Sequence, residues 1–128
     1  MLLFTDASRH DDVVGIGYVI RDARDDDYPK MGRMSVQRSY TSTDSEAMAV
    51  LYGMYITVEY YEPDHLTVYS DCQVVVDKLQ TTGEWEFFTA LYDVLAEQCT
   101  SCEIRKVNRS NNTTADRLAS EAAWAETE

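Results

Sequence analysis

Short apolar runs and longer helical periods alternate along this chain. Leu2–Thr5 is an apolar run ending at Asp6, and Val13–Ile20, with small Gly15 and Gly17 inside it, is a second. Polar Ser8–Asp12 between them predicts two strands joined by a hairpin. Met31–Tyr40, after an Asp/Arg-rich turn containing Pro29, predicts a third strand. Thr41-Ser42-Thr43-Asp44-Ser45-Glu46 is dense in helix N-cap residues, and Ala47, Val50, Leu51, Met54 and Val58 then recur at three and four residues. That spacing predicts a long amphipathic helix, stopped by Pro63.

Leu66–Ser70 reads as a strand and Gln73–Gln80 as a short helix. Beyond Thr82-Gly83 a further helix runs through Phe87, Leu91, Val94 and Leu95. Cys102–Val107 is a fifth strand, and Asn112 or Thr113 caps a last helix reaching Trp124. The order β-β-β-α-β-α-α-β-α predicts an α/β fold: a mixed five-stranded sheet, three strands antiparallel and the rest parallel, with helices on both faces. Repeats and linkers are missing, so residues 1–128 are expected to form a single domain.

The chemistry that this pattern carries lies in four acids. Asp6 and Asp71 follow apolar strand runs, where ligands of α/β folds usually bind, and Glu46 and Asp116 open alanine-rich helices. If strands one and four are parallel neighbours, Asp6 and Asp71 meet at one sheet edge. Glu46 projects near the inward face of its helix, and Asp116 borders the stripe Ala115, Leu118, Ala119 and Ala122. Singly, each acid is an ordinary strand-end, turn or first-turn residue. Together they would repel one another unless cations lay between them, so a divalent metal site is the simplest reading.

Composition qualifies this picture. The chain has 128 residues, 45% of them hydrophobic, and 23 acids against 11 bases give a net charge of −12. Such a balance opposes nucleic acid at first sight. Yet lysine is scarce (Lys30, Lys78, Lys106), and acids such as Asp25-Asp26-Asp27 lie in surface-like stretches. An Asp-rich, Lys-poor surface suits a high-salt cytoplasm, where the Debye length falls to roughly 3 Å and bulk repulsion is screened. The odd cysteine set Cys72, Cys99 and Cys102 fits a reducing compartment. Cys99-Thr-Ser-Cys102 has zinc-knuckle spacing without a second ligand pair. With neither a signal peptide nor an apolar run of membrane-spanning length, a cytoplasmic protein with no membrane partner is expected.

The motifs resemble those of the ribonuclease HI family along essentially the whole chain. Phe4-Thr5-Asp6-Ala7-Ser8 with Gly15-Ile16-Gly17 is similar to the family's Asp-Gly-Ser opening, and Thr41–Glu46 to its Thr-Asn-Asn-x-x-Glu helix start. Ser70-Asp71-Cys72-Gln73 resembles its Thr-Asp-Ser-Gln turn. Val107-x-Arg109-x-x-Asn112-x-x-Ala115-Asp116-x-Leu118-Ala119 resembles its closing motif. The departures are Ala7 for Gly, Ser42 and Thr43 for two Asn, and Asn111 where many relatives carry a loop His. A short link after Gln80 replaces the basic handle helix of some members, and a separate hybrid-binding domain is missing.

The resemblance implies an RNase H-like fold and an endoribonuclease that hydrolyses the RNA strand of RNA–DNA hybrids. It implies catalysis by two Mg²⁺ ions, with Mn²⁺ as substitute, held by Asp6, Glu46, Asp71 and Asp116. Asp6 would bridge, Asp71 and Asp116 would serve the water-activating side, and Glu46 would lie near the ribose 2′-OH by which RNA is told from DNA. Ser8, Ser42, Thr43, Gln73, Arg109 and Asn112 are the expected hybrid contacts, with Arg105, Lys106, Arg109 and Arg117 as a local positive counterweight. The alternative is an RNase H-like nucleic-acid-binding module with weak or no turnover, because Asn111 cannot do a histidine's work. A related resolvase or exonuclease fits the closing motif less well. The chain is expected to be a monomer, with a dimer left open. Tyr18, Tyr52, Tyr55, Tyr60, Tyr61, Tyr69 and Tyr92 are expected in the core or at its boundary. Trp85 is expected to pack against the sheet rather than touch a DNA strand. His10 and His65 read as solvated loop residues, His10 being a candidate substitute for the loop His.

Overall fold

The computed structural model describes residues 1–22, 29–37, 41–81 and 85–125. Five strands form one sheet in the order β3-β2-β1-β4-β5: β1 (Leu2–His10), β2 (Val13–Arg21), β3 (Lys30–Gln37), β4 (His65–Ser70) and β5 (Ser101–Lys106). The first three are antiparallel, and β1–β4 and β4–β5 are parallel. The helices are α1 (Ser42–Tyr61), α2 (Gln73–Gln80), α3 (Glu86–Ala96) and α4 (Thr113–Ala125), the last preceded by a short 3₁₀ turn at Arg109–Asn111. The element order and the β1–β4 pairing are those expected. The predicted third strand extends beyond the observed one, and its residues 38–40 lie outside the described residues.

Several boundaries shift from expectation, two of them for a clear physical reason. β1 does not end at Thr5; it pairs with β2 as far as His10↔Val13, and only Asp11-Asp12 form the turn, Asp11 at φ 55°. Polar Ser8, Arg9 and His10 disguise this extension, because it runs past the core and needs no apolar alternation. α1 ends at Tyr61, one step before the predicted proline stop: Glu62 turns left-handed at φ 43° and returns its N–H to the Val58 carbonyl at 3.2 Å.

The main core lies between the sheet and α1, α2 and α3, around Leu3, Val50, Met54, Leu66, Val68, Val75, Leu79 and Ile104. α3 buries only Leu95 of the four residues that marked it. Phe87, Leu91 and Val94 are exposed, while Thr89, Tyr92 and Leu95 are buried. Apolar residues at i, i+4 and i+7 mark a stripe, but not which stripe the neighbours cover. Tyr92 is admitted because its hydroxyl bonds the Cys102 thiol. Cys102 itself begins one residue inside β5 and packs against this core, half-buried. Tyr18, Tyr52 and Tyr69 are half-buried, whereas Tyr55, Tyr60 and Tyr61 are exposed rather than at the boundary. Trp85 does pack against the core, edge-on to Phe88 and under the Lys78 ammonium.

Among the described residues, α4 alone covers the other face, on β1, β2 and β3. Its close approach depends on two glycines. A Cβ on Gly15 would collide with the Ala119 carbonyl oxygen, and one on Gly17 with that of Ala115. The helix therefore lies on bare β2 backbone, with Ala115, Ala119 and Ala123 as its contact ridge. Gly15→Ala should destabilise the protein by about 1–3 kcal/mol, towards the upper end because the obstacle is backbone. A urea midpoint that drops with an unchanged slope would show it; an unchanged midpoint would mean that α4 sits farther from the sheet.

Candidate metal centre

Asp6 stands where the sheet splits. β1 and β4 stay paired only to Thr5↔Ser70, after which β4 stops and β1 continues beside β2. The backbone therefore presents Asp6 at the mouth of the gap and Asp71 in the turn after Ser70. Asp6 is 4% exposed, and its Oδ1 accepts the Ala7 N–H at 3.0 Å. Ala7 occupies regular strand opposite Ile16, so a side chain replaces the family's glycine without strain.

α1 delivers Glu46. Thr41 caps the helix, its Oγ1 accepting the Asp44 N–H at 3.1 Å, while the Ser45 hydroxyl donates to the Thr41 carbonyl at 2.8 Å. Two turns along, Gly53 brings the helix onto β1: a Cβ there would lie 2.9 Å from Thr5 Cγ2. Carboxylate oxygens of Asp6, Glu46 and Asp71 lie within 4.8 Å of one another. Among the described residues, this is the only group of three or more His, Cys, Asp or Glu so placed. The Cys99/Cys102 knuckle spacing yields no such group.

Asp116 reaches the same place by another route. Gly17 pairs with Asp6 across the strands, and the Ala115 carbonyl sits over Gly17. The next residue, Asp116, thus stands beside Asp6 and forms a side-chain hydrogen bond with it. It is exposed and lies outside the three-acid set, at its rim.

The electrostatics are those of acids without compensation. Burial pushes the Asp6 carboxyl up to about 7, with the nearby Asp71 charge adding to it. Burial, reinforced by the Asp6 charge, drives Glu46 up further, and the two share a proton. Glu46 Oε2 is buried without a hydrogen-bond partner. An orphaned buried oxygen, hard carboxylate donors and close mutual spacing together fit a divalent cation.

The expected nucleic-acid contacts divide. Ser42, Gln73 and Arg109 are exposed, and Ser8 and Thr43 half-buried. Gln73 is tied along its helix to Asp77 at 2.8 Å. Asn112 is different: it is 2% exposed, and its Nδ2 donates to the Thr5 carbonyl at 2.8 Å. It braces the strand before Asp6 against the start of α4, a role that its motif position did not reveal. The positive counterweight is also thinner than expected, since Arg105 pairs with Glu103 at 2.9 Å and Arg117 approaches Glu121 at 3.8 Å. Neither histidine is a loop residue. His10 lies in β1 with its ring stacked on Trp124, centroids 3.5 Å apart, and His65 opens β4 with Nδ1 2.7 Å from the Ser101 hydroxyl. The Gly53 approach was also missed, although a glycine inside a helix pattern is itself a signal of close packing.

The model of the reverse transcriptase-like family matches residues 4–122. The fold is similar to an RNase H1 from the halophilic archaeon Halobacterium salinarum, with TM-score 0.85 and 20% identity, covering 97% of each chain. The N-terminal RNase H domain of Rv2228c from Mycobacterium tuberculosis matches with TM-score 0.83 and 21% identity, over 98% of this chain and 94% of that one. LC11-RNase H1 in complex with an RNA/DNA hybrid matches with TM-score 0.80 and 16% identity, over 99% of both. No curated protein matches the chain in sequence.

The raised carboxyls set a pH dependence for the metal-free protein. Their folded pKa values exceed the unfolded ones near 4, so their stabilisation is complete below that and is lost as pH rises, through about 7 for Asp6 and about 10 for Glu46. Metal-free protein should melt at progressively lower temperature between pH 5 and 8, and Asp6→Asn should flatten the slope. A divalent cation should raise the melting temperature more at pH 8 than at pH 5; an equal rise at both would contradict the shared-proton site.

Proposed function

The chain belongs to the reverse transcriptase-like family, and from that premise we propose that it hydrolyses the RNA strand of RNA–DNA hybrids, acting as one RNase H-like domain over residues 1–128. The observation that carries this reading is the convergence of Asp6, Glu46 and Asp71 within 4.8 Å, with Asp116 bonded to Asp6 at the rim. A fold shared with an RNase H1 seen with an RNA/DNA hybrid supports the substrate class.

Asp6, Glu46 and Asp71 would hold Mg²⁺, or Mn²⁺ in its place, with Asp116 completing one side. When bound, such ions activate the attacking water and stabilise the charge on the leaving oxygen. The protein's own part is positional. The β1/β4 split fixes Asp6 and Asp71, Gly53 sets how close α1 brings Glu46, and the Asn112–Thr5 hydrogen bond holds α4 and Asp116 against β1. Glu46, the donor that α1 supplies, would meet the ribose 2′-OH, the group that distinguishes RNA from DNA. Exposed Ser42, Gln73 and Arg109, with Ser8 and Thr43, would line the approach. In a high-salt cytoplasm phosphate contacts weaken with log salt, leaving hydrogen bonds and metal coordination to choose the substrate.

The second reading, a binding module with little turnover, rests on Asn111, which is exposed in the turn before α4 where relatives carry a His. A labelled hybrid incubated with Mg²⁺ or Mn²⁺ at low and high salt decides between them. Fragments that need metal, reduced on the order of a hundredfold or more in Asp71→Asn, are expected for the nuclease, since each lost ligand removes several kcal/mol of transition-state stabilisation. Hybrid that is retained but left intact under every ion and salt condition would establish the binder instead.

A further inference from the structure

Cys99 and Cys102 lie at the end of the sheet opposite the carboxylates. α3 ends at Ala96, and the chain turns into β5 over residues 97–100. Gln98 and Cys99 donate their N–H groups to the Leu95 and Ala96 carbonyls at 3.3 and 3.1 Å. The Ser101 N–H then bonds the Asp64 carbonyl at 3.0 Å, and Cys102 pairs with Leu66 in β4. Asp71 stands past the far end of β4, which places it roughly 16 Å from this turn at the usual strand rise.

Both cysteines turn inward. They are free, half-buried and packed against the same core cluster. Both also line one cleft of about 290 Å³ between the last turn of α3 and the start of β5, with Asp93, Glu97 and Ser101 in its walls. The thiols are neighbours: burial first, and then Cys99 itself, push the Cys102 thiol up to about 11. Two thiolates placed this way repel each other unless a cation lies between them. Exposed Asp93 and Glu97 draw cations towards the cleft.

The cation that this pair selects differs from the one that suits Asp6. Thiolates are soft donors and favour soft metals such as Cu(I), whereas carboxylates favour Mg²⁺ and Mn²⁺. Among the described residues, Cys99 and Cys102 belong to no group of three potential ligands. A four-coordinate ion such as Zn²⁺ therefore lacks half of its donors here. An ion satisfied by two sulfurs does not.

We propose that Cys99 and Cys102 form a two-coordinate site for a soft, thiophilic cation of the Cu(I) class. On binding, each thiol gives its proton to solvent, two S–Cu bonds form, and the copper stays at +1. The site stands whether or not the chain cleaves hybrids.

The test uses the full chain, reduced and kept free of oxygen, with Cu(I) presented as its bicinchoninate complex. One Cu(I) per chain is expected to leave the chelator. Cys99 and Cys102 should then resist iodoacetamide together, while Cys72 is alkylated as before. Cys99→Ser and Cys102→Ser should each weaken binding on the order of a hundredfold or more, since even an outer-shell partner is worth roughly 10–100-fold. Cys72→Ser, Asp71→Asn and excess Mg²⁺ should leave binding unchanged. The alkylation pattern of the unmutated chain keeps the test decisive where a serine variant misfolds. No transfer from the chelator, one ion shared by two chains, affinity indifferent to Cys99→Ser, or equal competition by Zn²⁺ would overturn the assignment.

Discussion

Carboxylates that repel one another are the constraint on which this structure turns. Three of them within 4.8 Å cost on the order of a few kcal/mol per pair at intermediate dielectric, so nothing about the acids themselves draws them together. The rest of the fold has to hold them there. It does so with features that are individually apolar or neutral: a parallel β1–β4 register, a helix pressed onto β1 at Gly53, and another pressed onto β2 at Gly15 and Gly17. Burial then keeps a proton in the pair Asp6–Glu46 and leaves Glu46 Oε2 without a partner. A site strained in that way is relieved by a cation better than by any rearrangement of its side chains.

The acids were legible because their sequence positions are tied to element boundaries. A carboxylate after an apolar strand run, or at the head of an alanine-rich helix, is placed by periodicity alone, and the order of elements then brings the four positions together. Asp116 shows the limit of that argument. Its helix, its border position and its neighbourhood were readable, but its exposure at the rim depends on the tilt of α4, which the contacts at Gly15 and Gly17 determine. The Asn112–Thr5 hydrogen bond was hidden for a related reason. It joins residues 107 positions apart, and a motif cannot say whether an Asn faces ligand or backbone.

What periodicity misjudged was coverage. Of the residues that marked α3, Leu95 is buried as expected, yet Phe87, Leu91 and Val94 are exposed and the neighbours bury Thr89 and Tyr92. The pattern shows where apolar residues recur, not which face the neighbours cover: the buried face carries the Tyr92 hydroxyl, bonded to Cys102, and the Thr89 hydroxyl, buried without a hydrogen-bond partner. The same distinction explains His10. Its polarity suggested a loop, but a strand extending past the core tolerates it, and Trp124 on α4 supplies a ring to stack upon.

Net charge is a poor guide to partners when the charges are not spread evenly. The value of −12 belongs to the whole chain, while affinity for a polyanion depends on what lies within a Debye length of the contact. Near the metal centre the acids are themselves the ligand set, and cations bound among them would reverse the local sign. Arg105 and Arg117, two of the four basic residues expected as a local positive counterweight, are already engaged by Glu103 and Glu121. Under the proposed function, attraction to a nucleic acid would therefore come from bound metal, from neutral hydrogen-bonding groups such as Ser42 and Gln73, and from individual cations such as Arg109. A surface built this way loses less in strong salt than one that binds through many lysines, because fewer counterions are released per contact.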